Sequence, residues 1–131
     1  MELLERAPEK AQSTSLSKPA SSISIRPHRL TLFVPSKNPD GDVPHELQER
    51  VLARCREVVC DLCGGATEWR ANGSWPGQKG FVFERITVIA AFGIGERKKI
   101  VARLFRLCRW MKAVLQQEKV AFEVDSRLFL V

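Results

Sequence analysis

Hydrophobic residues recur with two different periods along this chain of 131 residues, and the two periods alternate. "RLTLFV" and "VAFEVD" carry apolar side chains at every second position, and "ATEWRANGSW" and "FVFERITVIAAF" read as two further strands. Residues 44–63 and 96–119 instead repeat their apolar residues every three or four positions, as amphipathic helices do. The resulting order predicts an α+β fold of the ferredoxin-like βαββαβ class, an antiparallel sheet with two helices on one face.

Turn-forming residues separate these segments. Pro44 suits the start of the first helix, Gly64-Gly65 ends it, and "PGQKG" joins the two middle strands as a hairpin. The last apolar stretch, "RLFLV", either extends the sheet or covers its edge.

The first part of the chain has a different composition. Residues 1–27 are rich in Ser, Lys, Ala, Pro and Glu and contain few large apolar groups, so we expect a flexible tail before a single domain of residues 28–131. The start has no apolar region of a secretory signal, and no segment is long and apolar enough for a membrane span. The sequence therefore predicts a cytoplasmic protein with no membrane contact.

The sheet face opposite the helices requires its own explanation. Strict alternation would place several apolar side chains there, and such a face favours pairing with another copy of the chain. We therefore expect a homo-oligomer, a dimer in the simplest case. The residues assigned to this open face are Thr31, Phe33, Phe83, Thr87, Ile89 and Ala91.

From residue 30 to residue 125 the chain resembles a known group of proteins. "FVPSKNPDG", "GGAT", "GSW", "FVFERITVIAAF" and "QQEKVAFEVD", with a helix after the first and the fourth, are similar to uncharacterised small bacterial ferredoxin-like proteins. These form a domain-of-unknown-function family that includes many lipoproteins. The resemblance implies the ferredoxin-like fold and transfers no catalytic residue, and this chain lacks the lipoprotein signal.

The second helix is strongly basic. Residues 97–112 contain seven basic side chains and no acidic one. On a helical wheel, an outward sector opposite the apolar stripe carries cations beside a tryptophan, and the like charges on it repel each other. Arginine and tryptophan are enriched at protein interfaces, and both can also contact nucleic acid through phosphates and unpaired bases. The candidate binding residues are Lys99, Arg103, Arg106, Arg109 and Trp110.

A small pocket is a separate possibility. Trp69, Trp75 and Glu84 lie on the two middle strands and together would line a small-molecule or catalytic site. A catalytic carboxylate needs a perturbed environment, whereas cross-strand ion pairs are the commoner use of strand carboxylates. The strand carboxylates of this chain are Glu68, Glu84, Glu123 and Asp125.

The cysteines do not predict a metal or redox centre. Cys60 and Cys63 form a CxxC pair, but a structural zinc site usually needs a second ligand pair, which the sequence lacks. The sequence thus predicts no metal and no cofactor.

The leading functional hypothesis from the sequence is a non-catalytic oligomeric adaptor, not an enzyme, whose basic helix docks an acidic protein partner. The alternatives are a nucleic-acid-binding accessory protein and, third, a small-molecule-binding or catalytic ferredoxin-like dimer.

Overall fold

The computed structural model describes residues 23–131, so residues 1–22 of the predicted tail lie outside it. Seven strands and two helices follow one another along the described chain. They are β1 (His28–Val34), β2 (Lys37–Asn38), β3 (Gly41–Asp42), α1 (His45–Cys63), β4 (Thr67–Gly77), β5 (Gly80–Gly93), α2 (Arg97–Val114), β6 (Ala121–Val124) and β7 (Arg127–Leu130).

The main sheet has five antiparallel strands in the order β4-β5-β1-β6-β7. Its first four strands place β5 between β1 and β4, which is the strand arrangement of a split βαβ fold. The predicted ferredoxin-like α+β class is therefore confirmed. The final apolar stretch extends the sheet as an additional edge strand, β7.

Local residues mark the start and end of α1 and the end of α2. Pro44 precedes α1, and Gly64 ends it with a φ of 82°, a left-handed conformation that a glycine adopts at little steric cost. The second helix ends at Val114, five residues before the predicted end. Gln116, at a φ of 54°, turns the chain out of the helix before Lys119 is reached.

The core lies between the two helices and one face of the sheet. In the sheet, Leu30 pairs with Ala91 and Leu32 pairs with Ile89, which places these four side chains on the helix-covered face. The largest fully buried side chains are Phe122, Leu30, Leu32, Ile89, Ile100, Leu104, Met111, Leu115, Val34, Val51, Val59 and Val124. Burying this many aliphatic and aromatic groups supplies the main driving force for folding.

The predicted composition of the open face is wrong in four positions. Thr87, Ile89 and Ala91 lie on the helix-covered face, because β5 pairs Ile89 with Leu32 and Ala91 with Leu30. Phe83 lies on the same face of β5 as these three residues, because side chains alternate along the strand. A shift of one residue sends every side chain of a strand to the other face. The open face instead carries Val88, Ala90 and Phe92 from β5, next to Thr31 and Phe33.

No helix within residues 23–131 has the length and apolar character needed to cross a membrane.

Candidate functional site

The β4–β5 hairpin extends well beyond the rest of the sheet. β1 pairs with β5 only between Thr87 and Gly93, so residues 80–86 of β5 pair with β4 alone. Phe81 and Phe83 in this segment are 70% and 66% exposed. The projecting hairpin is therefore an arm with aromatic side chains in contact with solvent.

Glu84 lies at the base of this arm and is only 7% exposed. Its Oε2 atom accepts hydrogen bonds from the backbone N–H groups of Ser36 and Lys37 at 2.8 and 2.9 Å, and from the Ser36 hydroxyl at 3.2 Å. The segment that follows β1 therefore supplies three hydrogen-bond donors to one carboxylate oxygen of Glu84. No hydrogen bond from residues 23–131 reaches the other oxygen, Oε1.

The other strand carboxylates form ion pairs, as the sequence favoured. Both carboxylate oxygens of Glu68 accept hydrogen bonds from the Arg56 guanidinium, at 2.8 and 2.9 Å. This bidentate contact lowers the pKa of the Glu68 carboxyl. Glu123 pairs with Arg29, which likewise lowers its pKa. Within residues 23–131, Glu84 is buried without such a cation, and buried carboxylates of this kind are candidates for functional groups.

A cavity of about 590 Å³ opens beside Glu84, within the usual size range of small-molecule sites. Its lining includes two cationic residues, one aromatic residue, an asparagine, a serine and the buried Glu84. We call it the Glu84 cavity. Its lining residues are Lys37, Asn72, Gly73, Ser74, Phe83, Glu84 and Arg85.

Of the predicted pocket residues, only Glu84 lines this cavity. Side chains alternate along a strand, so the register places Asn72, Ser74, Phe83 and Arg85 on one face of the arm and Glu84 on the other face with the two tryptophans, Trp69 and Trp75. Trp75 packs over the backbone of the arm, where a Cβ atom added to Gly73 would lie 3.4 Å from its ring. The two tryptophans are 48% and 41% exposed.

Sequence reasoning missed most of the cavity. The alternation of Asn72 and Ser74 with the tryptophans was the available signal, since it marks a polar face of β4. Lys37 gave no such signal, because only the tertiary structure brings the loop after β1 to the arm.

The candidate residues on α2 are exposed or half-buried along its outer side, and some of their charge is compensated within the domain. Arg103 donates a hydrogen bond to Asp61 of α1 at 3.2 Å, and Lys99 lies 3.9 Å from Glu96. The guanidinium of Arg109 lies over the ring of Phe105, 5.9 Å from its centroid. Trp110 is 40% exposed, and Arg106 is also exposed.

Three of the four cysteines are buried and one, Cys60, is exposed. Burial raises the pKa of the Cys63 thiol to about 11 and those of Cys55 and Cys108 to about 12. These three thiols are therefore protonated near neutral pH, which suits packing more than nucleophilic chemistry.

No family model and no curated protein matches this chain. Two solved structures are similar to it. One is a phage SAM lyase in complex with S-methyl-5'-thioadenosine, with a TM-score of 0.63 and 13% identity over 87% of this chain and 95% of that chain. The other is a phage SAM lyase in the apo state, with a TM-score of 0.57 and 16% identity over 84% of this chain and 95% of that chain.

At this identity the likeness establishes the fold. It also corrects the leading functional hypothesis, because the chains that share this fold over nearly their full length are those of an enzyme. The expectation of a non-catalytic adaptor, and of a protein that is not an enzyme, is contradicted by these structures. The basic helix that suggested an adaptor was visible in the sequence, whereas the Glu84 cavity was not.

Proposed function

We propose that this chain is an enzyme that binds a sulfonium nucleoside such as S-adenosylmethionine in the Glu84 cavity and cleaves it as a lyase. The observation that carries the proposal is a carboxylate, 7% exposed, with no cation paired to it in residues 23–131, in a cavity of about 590 Å³. The shared fold with phage SAM lyase structures supports this class of reaction over others.

The cavity has the groups that such a substrate requires. S-Adenosylmethionine carries a sulfonium and an ammonium cation, a carboxylate, a ribose and an adenine ring. Glu84 complements a cation, and Lys37 and Arg85 complement a carboxylate. Asn72 and Ser74 supply hydrogen-bonding groups for ribose hydroxyls, and Phe83 supplies an aromatic face for the base.

The reaction follows from the structure of the substrate. S-Methyl-5'-thioadenosine keeps the methyl and adenosyl groups, so the bond that breaks joins sulfur to the aminocarboxypropyl chain. The bonding electron pair stays on sulfur, which becomes a neutral thioether. The chain then either loses a proton to a base and becomes an alkene, or closes to a lactone when its own carboxylate displaces the sulfur.

Glu84 has a role in either route. In the elimination, its carboxylate accepts the proton. In the ring closure, it holds the ammonium group and so orients the substrate carboxylate towards the carbon that sulfur leaves. The fixed donors of Ser36 and Lys37 keep the side chain in one position for both roles.

The test is a direct assay. The purified chain is incubated with S-adenosylmethionine. The products are then separated by liquid chromatography and identified by mass spectrometry. We expect S-methyl-5'-thioadenosine together with either an unsaturated amino acid or a lactone, and the second product distinguishes the two routes. Glu84→Gln should reduce the rate by at least about 100-fold, as expected for a group that takes part in proton transfer or orientation.

Glu118→Gln is the matched control, because Glu118 is an exposed carboxylate that does not line the cavity. It should retain the wild-type rate. Calorimetric titration with S-methyl-5'-thioadenosine tests binding separately from turnover. A chain that neither binds this nucleoside nor forms it, or a Glu84→Gln variant with wild-type rate, would contradict the proposal.

A further inference from the structure

The last strand, β7, is the outer strand of the sheet, and only one of its edges is paired within residues 23–131. Val120 and Val131 exchange both of their backbone hydrogen bonds. Because hydrogen-bonded and non-hydrogen-bonded pairs alternate along an antiparallel ladder, Phe129 and Arg127 also bond to β6. The N–H and C=O groups of Leu128 and Leu130 therefore point away from the sheet.

Natural edge strands often carry lysine or proline at such positions, which discourages pairing with another chain. β7 instead carries two leucines there, with side chains 60% and 63% exposed on the open face of the sheet. The edge therefore offers hydrogen-bonding groups and an apolar flank to an added strand.

A second cavity of about 590 Å³ lies between the C-terminal half of α2 and the end of β7. We call it the α2 groove, and it is separate from the Glu84 cavity. Arg109 and Lys112 line it and have no acidic partner among residues 23–131, unlike Arg103 of the same helix. The residues that line it are Phe105, Arg109, Lys112, Ala113, Gln116, Gln117 and Val131.

We propose that the free edge of β7 and the α2 groove together bind an extended peptide with alternating acidic and apolar residues. A strand added to β7 would direct alternate side chains to the two faces of the sheet. Those on the helix side reach Arg109 and Lys112, which favours carboxylates. Those on the open face lie beside Leu128 and Leu130, which favours apolar groups. The partner is thus a peptide segment of another protein, at a site distinct from the catalytic cavity.

The probe is a fluorescein-labelled seven-residue peptide that alternates glutamate and valine, with a lysine/valine peptide of equal length for comparison. Anisotropy should show that the acidic peptide binds at least about tenfold more tightly than the basic one. The Arg109→Glu/Lys112→Glu variant should lose that preference. Lys99→Glu/Arg106→Glu makes the same change of charge on another side of α2 and should retain it.

A second pair of variants tests the strand edge. Leu128→Pro removes an N–H group that bonds to nothing in β6, so the fold should survive, which thermal unfolding checks. Leu128→Ala shortens the same side chain and keeps the N–H. Leu128→Pro should bind the acidic peptide at least about tenfold more weakly than Leu128→Ala.

Four results would overturn this inference. Three of them are equal binding of the two peptides, equal binding by the proline and alanine variants, and light scattering that shows the β7 edge pairing two copies of this chain, with dissociation in Leu128→Pro. A single-stranded RNA that binds more tightly than the acidic peptide and depends on Arg109 and Lys112 would also replace the peptide as the occupant.

Discussion

The Nδ1 atom of His28 lies 2.7 Å from Oδ2 of Asp125, across 97 positions of the sequence. The same carboxylate accepts hydrogen bonds from Nε of Arg97 at 2.8 Å and from the backbone N–H of Arg29 at 2.9 Å. Asp125 thus ties the start of β1, the turn before β7 and the start of α2 to one another. The Arg97 and His28 contacts lower the pKa of the Asp125 carboxyl from 3.8 to about 2.

The Asp125 contacts should make stability dependent on acid pH. A carboxyl whose pKa is lower in the folded state stabilises that state above its unfolded pKa, and this stabilisation is lost as the pH falls from 3.8 towards 2. Asp125→Asn should lower the Tm at neutral pH and flatten its fall across this window. Scanning calorimetry measures both effects. Asp40→Asn, a change at an exposed turn, is the control, and equal pH profiles for the two variants would contradict this role.

The turn between β6 and β7 should tolerate glycine better than a branched residue. Asp125 and Ser126 have φ values of 51° and 69°, the positive values of a type I′ hairpin turn. This conformation costs an L-residue about 1 kcal/mol, whereas glycine adopts it freely. Ser126→Gly should therefore raise the free energy of unfolding by up to about 1 kcal/mol, and Ser126→Val should lower it. Urea denaturation provides the measurement, and the opposite order would exclude the strain argument.

The thiols should react unequally. Cys60 is exposed, whereas Cys55, Cys63 and Cys108 are buried with raised pKa values. With a maleimide at pH 7, mass spectrometry should show one fast modification at Cys60 and further ones only after unfolding. Cys60→Ser should remove the fast phase. Rapid modification of Cys63 in the folded chain would instead indicate an activated CxxC pair.

We also propose that the open face of the sheet contacts a second copy of this chain. Trp69 and Phe92 are 48% and 56% exposed on this face. Light scattering should give a mass above that of the monomer at micromolar concentration. Trp69→Ser/Phe92→Ser should lower that mass, whereas Phe105→Ser, an exposed aromatic on α2, should not. A monomeric wild-type chain over this concentration range would contradict the proposal.

Several features of this fold follow from local sequence. The apolar period of residues 97–114 and the turn residues Pro44 and Gly64 act over a few positions, so they determine α1 and α2 without knowledge of the remainder. The same holds for the hairpin at "PGQKG". The basic side of α2 was equally visible, because it depends only on helical spacing.

Other features depend on residues far apart in the chain. The register of β1 against β5 determined which side chains face the helices, and no local pattern distinguishes two registers that differ by one residue. The environment of Glu84 arises from donors in residues 36 and 37, almost fifty positions away. A carboxylate becomes a candidate site through burial and the lack of an ion pair within residues 23–131, and both of these are properties of packing. The sequence by itself therefore determined the class of fold, and only the tertiary structure decided where a buried carboxylate and a cavity lie together.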